Sequence, residues 1–172
     1  MKRLSLLLTI SIFFFSSKAQ TMKDLTIRIN EIEDRMAIKN VVDAFSILAD
    51  QKDIQKQMLL FTENATVTSI VQGQPAMTLT GHKQIGDAFS AYLNLFETVY
   101  HINGQQTITL NADKASAVSY CLVTLIGIEN GKKIKNTMGV YYTDDFVKQN
   151  NHWLITKRVS NFTWQDKQRV SQ

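Results

Sequence analysis

Residues 115–148 read A-S-A-V-S-Y-C-L-V-T-L-I-G-I-E-N-G-K-K-I-K-N-T-M-G-V-Y-Y-T-D-D-F-V-K, and this stretch decides the fold. Two runs rich in β-branched and aromatic residues flank Asn130-Gly131, a pair that tolerates positive φ at both positions and predicts a tight hairpin turn. The pattern continues on both sides. Residues 99–110 and 152–164 are further strands, connected through Asn111-Ala112-Asp113-Lys114 and Gln149-Asn150-Asn151. Strands over 99–110, 115–129, 132–148 and 152–164, joined by short turns and uninterrupted by Pro, make an antiparallel and strongly curved sheet. Within 115–129 both parities are apolar, with Val118, Tyr120, Leu122 and Ile126 on one face and Ala117, Cys121, Val123 and Leu125 on the other. Both faces of the sheet therefore need cover.

Upstream residues supply one cover. Residues 31–53 carry Ile32, Met36, Val41, Val42, Phe45, Leu48 and Ala49 at near-helical spacing, which predicts an amphipathic helix. A short helix over 53–61 follows, N-capped by Asp53 and presenting Ile54, Met58 and Leu59. Residues 65–71 and 76–80 read as two short strands around Gln72-Gly73-Gln74-Pro75. A third helix over 83–97 presents Ile85, Ala88, Phe89, Tyr92, Leu93 and Phe96. Helices first and a meander afterwards is the α+β layout, with about six strands, antiparallel but mixed at the edge, closed by three N-terminal helices. No repeat or linker divides residues 22–166, so one domain is expected. The simplest cover for the second sheet face is a second copy, which predicts a homodimer packed sheet to sheet.

The first residues have a different purpose. Lys2 and Arg3 precede an apolar run to Phe15, and Ser17 and Ala19 fit a small-x-small cleavage site, so residues 1–19 are expected to be a cleavable signal peptide. The apolar run is too short to span a bilayer, and the processed chain is expected to be secreted or periplasmic with no stable membrane anchor. The alternative is a leader that stays attached. Losing Lys2, Arg3 and Lys18 takes the 19 basic residues to 16 against 15 acidic ones, so the basic character belongs to the leader. No nucleic-acid partner is expected from a nearly neutral remainder. Cys121 is the only cysteine, so no intrachain disulfide can form.

Several phrases together resemble the SnoaL-like branch of the nuclear transport factor 2-like superfamily. They are I-E-D-R-M-A-I leading to D-Q-K-D, L-F-T-E-N-A, T-G-H-K-Q-I, V-Y-H-I-N-G-Q-Q-T-I and the closing W-L-I-T-K-R, spread over about Ile29 to Trp164. The resemblance implies a cone-shaped curved sheet of the cystatin-like type, with a ligand pocket inside the cone. Function is less constrained, because this fold hosts dehydratases, isomerases, cyclases, binding proteins and plain dimerisation modules.

Within that frame His101 falls where similar proteins place a pocket histidine, and Asp50 sits at the helix end that closes over it. A carboxylate beside an imidazole fixes its tautomer and raises its basicity, as a general base requires. The alternatives are an Asp–His pair that only ties helix to sheet, or an Asp that caps the turn. By strand parity His101, Asn103, Gln105 and Thr107 share a face. Compared with scytalone dehydratase, Asp50 and His101 match the Asp and one histidine, while Cys121 stands at the second histidine and Ala49 at a tyrosine. A buried thiol is a poor proton shuttle. Ketosteroid isomerase offers no convincing match, since Phe45 lacks a hydroxyl. Phe45, Phe89, Gln105, Cys121, Asn136, Met138 and Tyr142 are the candidate pocket residues, with Tyr141 replacing Tyr142 if a bulge shifts the register; Cys121 reads more readily as core, and Asn136 could equally serve sheet backbone. His82, His101 and His152 lack metal-ligand spacing, and no phosphate loop or nucleophile elbow occurs, so neither metal nor cofactor is expected. Cofactor-free proton-transfer chemistry on a small, mostly apolar ligand is the leading expectation. A non-catalytic ligand-binding or dimerisation module is the alternative.

Overall fold

A computed structural model describes the backbone of residues 2–170 and the side chains of residues 21–170. The leader predicted over 1–19 lies outside the described side chains. Element order is α1 (Lys2–Asp50), α2 (Ile54–Met58), β1 (Phe61–Val71), β2 (Met77–Thr80), α3 (Gly81–Leu93), β3 (Phe96–Asn111), β4 (Lys114–Glu129), β5 (Lys132–Gln149) and β6 (His152–Arg169). The chain divides into two compact units, Met1–Met36 and Ala37–Gln172.

In the second unit the strands form one six-stranded sheet in the order β2-β1-β6-β5-β4-β3. The β3–β6 meander is antiparallel throughout, with Asn130 and Gly131 both at positive φ in the β4–β5 turn. β1 joins β6 in parallel and β2 antiparallel, which is the mixed edge. Thr62-Glu63-Asn64, which precede the strand expected over 65–71, lie inside β1, where a bulge between Phe61 and Thr66 absorbs them.

The helical face differs from the expected stripe. Ile38, Val42, Phe45 and Ala49 are buried, whereas Ile32 and Met36 are exposed. Helix α1 stops at Asp50 because Lys52 turns to φ +56, while the backbone N–H of Asp53 bonds back to the Leu48 carbonyl. Asp53 then caps α2 by accepting the Lys56 N–H at 3.1 Å. On α2 the inward pair is Gln57 and Met58, and Leu59 faces solvent. Phe45 centres the core, its ring meeting Phe61 and Phe89 at 5.9 Å and Tyr142 at 6.0 Å in edge-to-face contacts.

Bulges decide which side chains face inward. In β3, Gly104 and Gln105 together oppose Tyr120, so the inward set passes from Val99, His101 and Asn103 to Gln106, Ile108 and Leu110. In β6, Thr156 is the extra residue between pairs Phe146–Ile155 and Asp145–Lys157, and Arg158 turns inward opposite Asp144. On the outer face, Tyr100, Ile102, Tyr120 and Leu122 are exposed, and Tyr141 packs against Tyr120 at 5.9 Å.

Candidate functional site

Inside the cone lies a cavity of about 930 Å³. Its deep wall is made by Phe45, Ala49, Gln57, His101, Met138 and Tyr142, all in or near the core. Toward the mouth the lining becomes exposed, through Met77, Tyr92, Leu95, Ile128 and Trp164. A concave, mainly apolar space with few polar groups is the form that small-molecule sites take.

One helix end and one strand start build the polar wall. Asp50 is the last residue of α1, and His101 lies near the start of β3. Asp50 Oδ1 is 2.6 Å from His101 Nδ1, and its Oδ2 accepts the His101 backbone N–H at 3.2 Å. A carboxylate can only accept, so Nδ1 carries a proton, and in the neutral ring the Nε2 lone pair is left available. The imidazole side chain is 7% exposed and lines the cavity, while Asp50 stands behind it.

A neighbouring network holds the two elements in register. Asn103 donates to the Val42 carbonyl at 3.2 Å and to Asp43 at 3.0 Å, and Ser46 Oγ donates to Asn103 Oδ1 at 3.0 Å. The Asp50–His101 pair therefore sits on a fixed helix-to-strand seam.

Of the residues expected in the pocket, Phe45, Phe89, Asn136, Met138 and Tyr142 line the cavity, and Tyr141 is on the outer face. Gln105 does not line it. The Gly104–Gln105 bulge turns Gln105 to solvent, and Gln106 points inward to donate to Ser119 Oγ at 2.9 Å. Cys121 is buried but also outside the cavity lining; its thiol rests against the Tyr142 hydroxyl, and Tyr142 is the group that meets the cavity. Burial pushes the Cys121 thiol up to about 11, against the pull of Tyr142 and Arg158. Burial likewise raises the Tyr142 phenol, which stays neutral at ordinary pH.

A folded thiol that holds its proton more tightly than the unfolded one stabilises the fold fully below about pH 9. That contribution is lost as pH rises toward about 11. The thiol is therefore expected to resist an aromatic disulfide reagent at pH 8 and to react at once when denaturant is added, as followed by absorbance.

Gln57, Asp144 and Arg158 are buried polar residues that the sequence reading did not single out. Gln57 Nε2 donates to the Phe45 carbonyl at 3.0 Å, which leaves its Oε1 buried without a protein partner among the described residues. Asn136 Oδ1 is in the same condition, and both residues line the cavity. The Ile54–Met58 spacing, which also turns residue 57 inward, was a usable sign of Gln57. Arg158 is fully buried, its guanidinium stacked 4.0 Å from the Phe45 ring and 4.3 Å from the Tyr142 ring. It forms a bidentate pair with Asp144 through Nε at 2.8 Å and Nη2 at 2.7 Å. Burial works against the Arg158 charge, but Asp144 more than offsets it and raises the guanidinium above its usual value.

A curved mixed sheet, helices over its concave side and a cavity between them define the nuclear transport factor 2-like, cystatin-like class. Solved structures share that fold. A candidate scytalone dehydratase from Novosphingobium aromaticivorans superposes with a TM-score of 0.71 at 18% identity, covering 82% of this chain and 91% of that one. A hexachlorocyclohexane dehydrochlorinase from Novosphingobium barchaimii gives 0.69 at 15% identity over 83% and 94%. An NTF2-like protein with a cystatin-like fold, also from Novosphingobium aromaticivorans, gives 0.61 at 20% identity over 81% and 88%. Within this class the chain belongs to the SnoaL-like domain family, whose model matches residues 30–159. An uncharacterised protein of Mycobacterium tuberculosis is 25% identical over 136 residues, which span 78% of this chain and 89% of that relative.

Proposed function

We propose that this chain is an exported SnoaL-like protein, with a leader over 1–19 and its functional domain within 22–166, that binds a small, mostly apolar ring compound in its cone. On that ligand His101 moves a proton without a cofactor, in chemistry of the dehydratase, isomerase or cyclase type. The observation that carries this reading is an Asp50-oriented imidazole facing a cavity of about 930 Å³. His101 Nε2 accepts a proton from ring carbon, the C–H electron pair becomes the new C=C bond as the hydroxyl on the adjacent carbon departs with its own bonding pair, and the imidazolium, steadied by Asp50, returns the proton to that hydroxyl so that it leaves as water. Gln57 Oε1 and Asn136 Oδ1 favour a ligand that carries hydroxyl or N–H donors on its apolar ring, because a buried acceptor left unpaired is costly. The dehydratase and dehydrochlorinase among the structural neighbours make elimination a natural member of the class. The exposed aromatic and aliphatic outer face of β3 and β4, with the half-buried Tyr141 of β5 beside it, supports a sheet-to-sheet homodimer.

A second reading is a ligand carrier without turnover. It is favoured by Cys121 and Ala49, which stand where the resemblance to scytalone dehydratase expects a histidine and a tyrosine.

The test is a thermal-shift screen of the chain from Gln20 against small phenols, ring ketones and terpenoids, with Asp50→Asn and His101→Ala in parallel. A binder at a hundredfold its Kd should stabilise the wild type by about 2.7 kcal/mol. Equal stabilisation of wild type and both variants removes His101 and Asp50 from the site. Binding without turnover selects the carrier. Sedimentation at micromolar concentration that finds only monomer overturns the sheet dimer.

A further inference from the structure

Residues 21–36 of α1 carry five apolar side chains in a 3-4-3-4 series: Met22, Leu25, Ile29, Ile32 and Met36. Each is between 45% and 61% exposed. In heptad notation they occupy a, d, a, d and a, the repeat that draws two helices together along one seam. Continued forward in sequence, the same series falls on Lys39, Asp43, Ser46 and Asp50, so the apolar seam ends at Met36. The buried residues Ile38, Val42, Phe45 and Ala49 follow a different phase. The seam is therefore not an early start of the core stripe, and it calls for a helix of its own period.

We propose that residues 22–36 pair with the same residues of a second copy in a short, parallel, in-register two-stranded coiled coil. Charge fixes both partner and direction. In a parallel pair a g residue faces the e residue five positions on in the other helix. Arg28 is at g and Glu33 at e, so each Arg28 meets Glu33 of the partner subunit, twice per pair. An antiparallel pair would set g against g and e against e, which places arginine near arginine and loses the Arg28–Glu33 pairing. A membrane surface fits poorly, because Lys23, Arg28 and Arg35 are outnumbered by Asp24, Glu31, Glu33 and Asp34, whereas interfacial helices are rich in basic residues. Two heptads hold weakly by themselves, so the pairing is expected to depend on concentration. The seam shares no residue with the outer sheet face and is a separate surface of self-association.

Disulfide trapping in the chain from Gln20 tests it. Leu25→Cys places a thiol at d, inside the seam, and Ile27→Cys places one at f, away from it. The two native side chains are 47% and 48% exposed, so access does not separate them, and Cys121 is buried. Under mild oxidation Leu25→Cys should form the symmetric dimer at least about tenfold faster than Ile27→Cys, since only parallel in-register helices bring identical d positions together. Arg28→Glu or Glu33→Arg added to Leu25→Cys should each slow trapping several-fold, and the two together should restore it. Equal rates for positions 25 and 27, or a double charge swap as slow as the singles, overturns the proposal. The ratio is independent of the sheet face, so failure of that dimer does not imitate failure of this one.

Discussion

Asp144→Ala should lower the unfolding free energy by about 3–5 kcal/mol, the range seen when one partner of a buried ion pair is removed. Both partners are 0% exposed, and the guanidinium lies between the Phe45 and Tyr142 rings, so no path leads the stranded charge to water. One Arg158 nitrogen, Nη1, already lacks a protein partner among the described residues, so the pair has no spare acceptor to fall back on. Replacing both members by apolar residues of similar volume, as in Asp144→Leu with Arg158→Met, should recover most of the loss, because the cost lies in an unpaired charge rather than in a missing bond. Urea denaturation followed by circular dichroism measures both. A single variant as stable as wild type would mean that the guanidinium finds water after all.

The second large effect concerns the imidazole. If the chain turns over its ligand, His101→Ala should reduce kcat by about 10²–10⁴-fold, the usual share of a positioned general base, while leaving the fold intact. Asp50→Asn should do nearly as much without removing the base. An amide can present N–H toward Nδ1, which moves the ring proton to Nε2 and blocks the lone pair that faces the cavity. Nitrogen NMR of the ring reads this without any substrate. Wild type should show Nδ1 protonated, and Asp50→Asn should show the proton shifted. A wild-type ring protonated on Nε2 would remove the base from the proposed chemistry.

The fold was legible because its signals were local and redundant. Strand alternation, the Asn130-Gly131 turn and the Asp53 cap all agreed. The site was less legible, since a single bulge reverses every later side chain of a strand. Gly104 was a usable sign of the first bulge, because a glycine inside a strand often marks one. Thr156 carries no such mark, and the bulge it makes turns Arg158 inward to full burial opposite Asp144. On α1 the expected stripe mixed two phases: Ile32 and Met36 belong to an exposed series, while Ile38, Val42, Phe45 and Ala49 face the core. Spacing alone gives a period and leaves open how many partners share one helix.

The parallel pairing of β1 with β6 also sets an order of assembly. Each strand from β3 to β6 meets its sequence neighbour, so the meander closes by short turns at small entropic cost. β1 must wait for the last strand, since Val67 aligns with Arg158 across nearly the whole domain. Contacts so distant in sequence form late and slow the folding of the chain that depends on them. Val67 and Ser160 both line the cavity, so the hollow gains its last wall only when synthesis has passed β6 and the two ends of the domain have met.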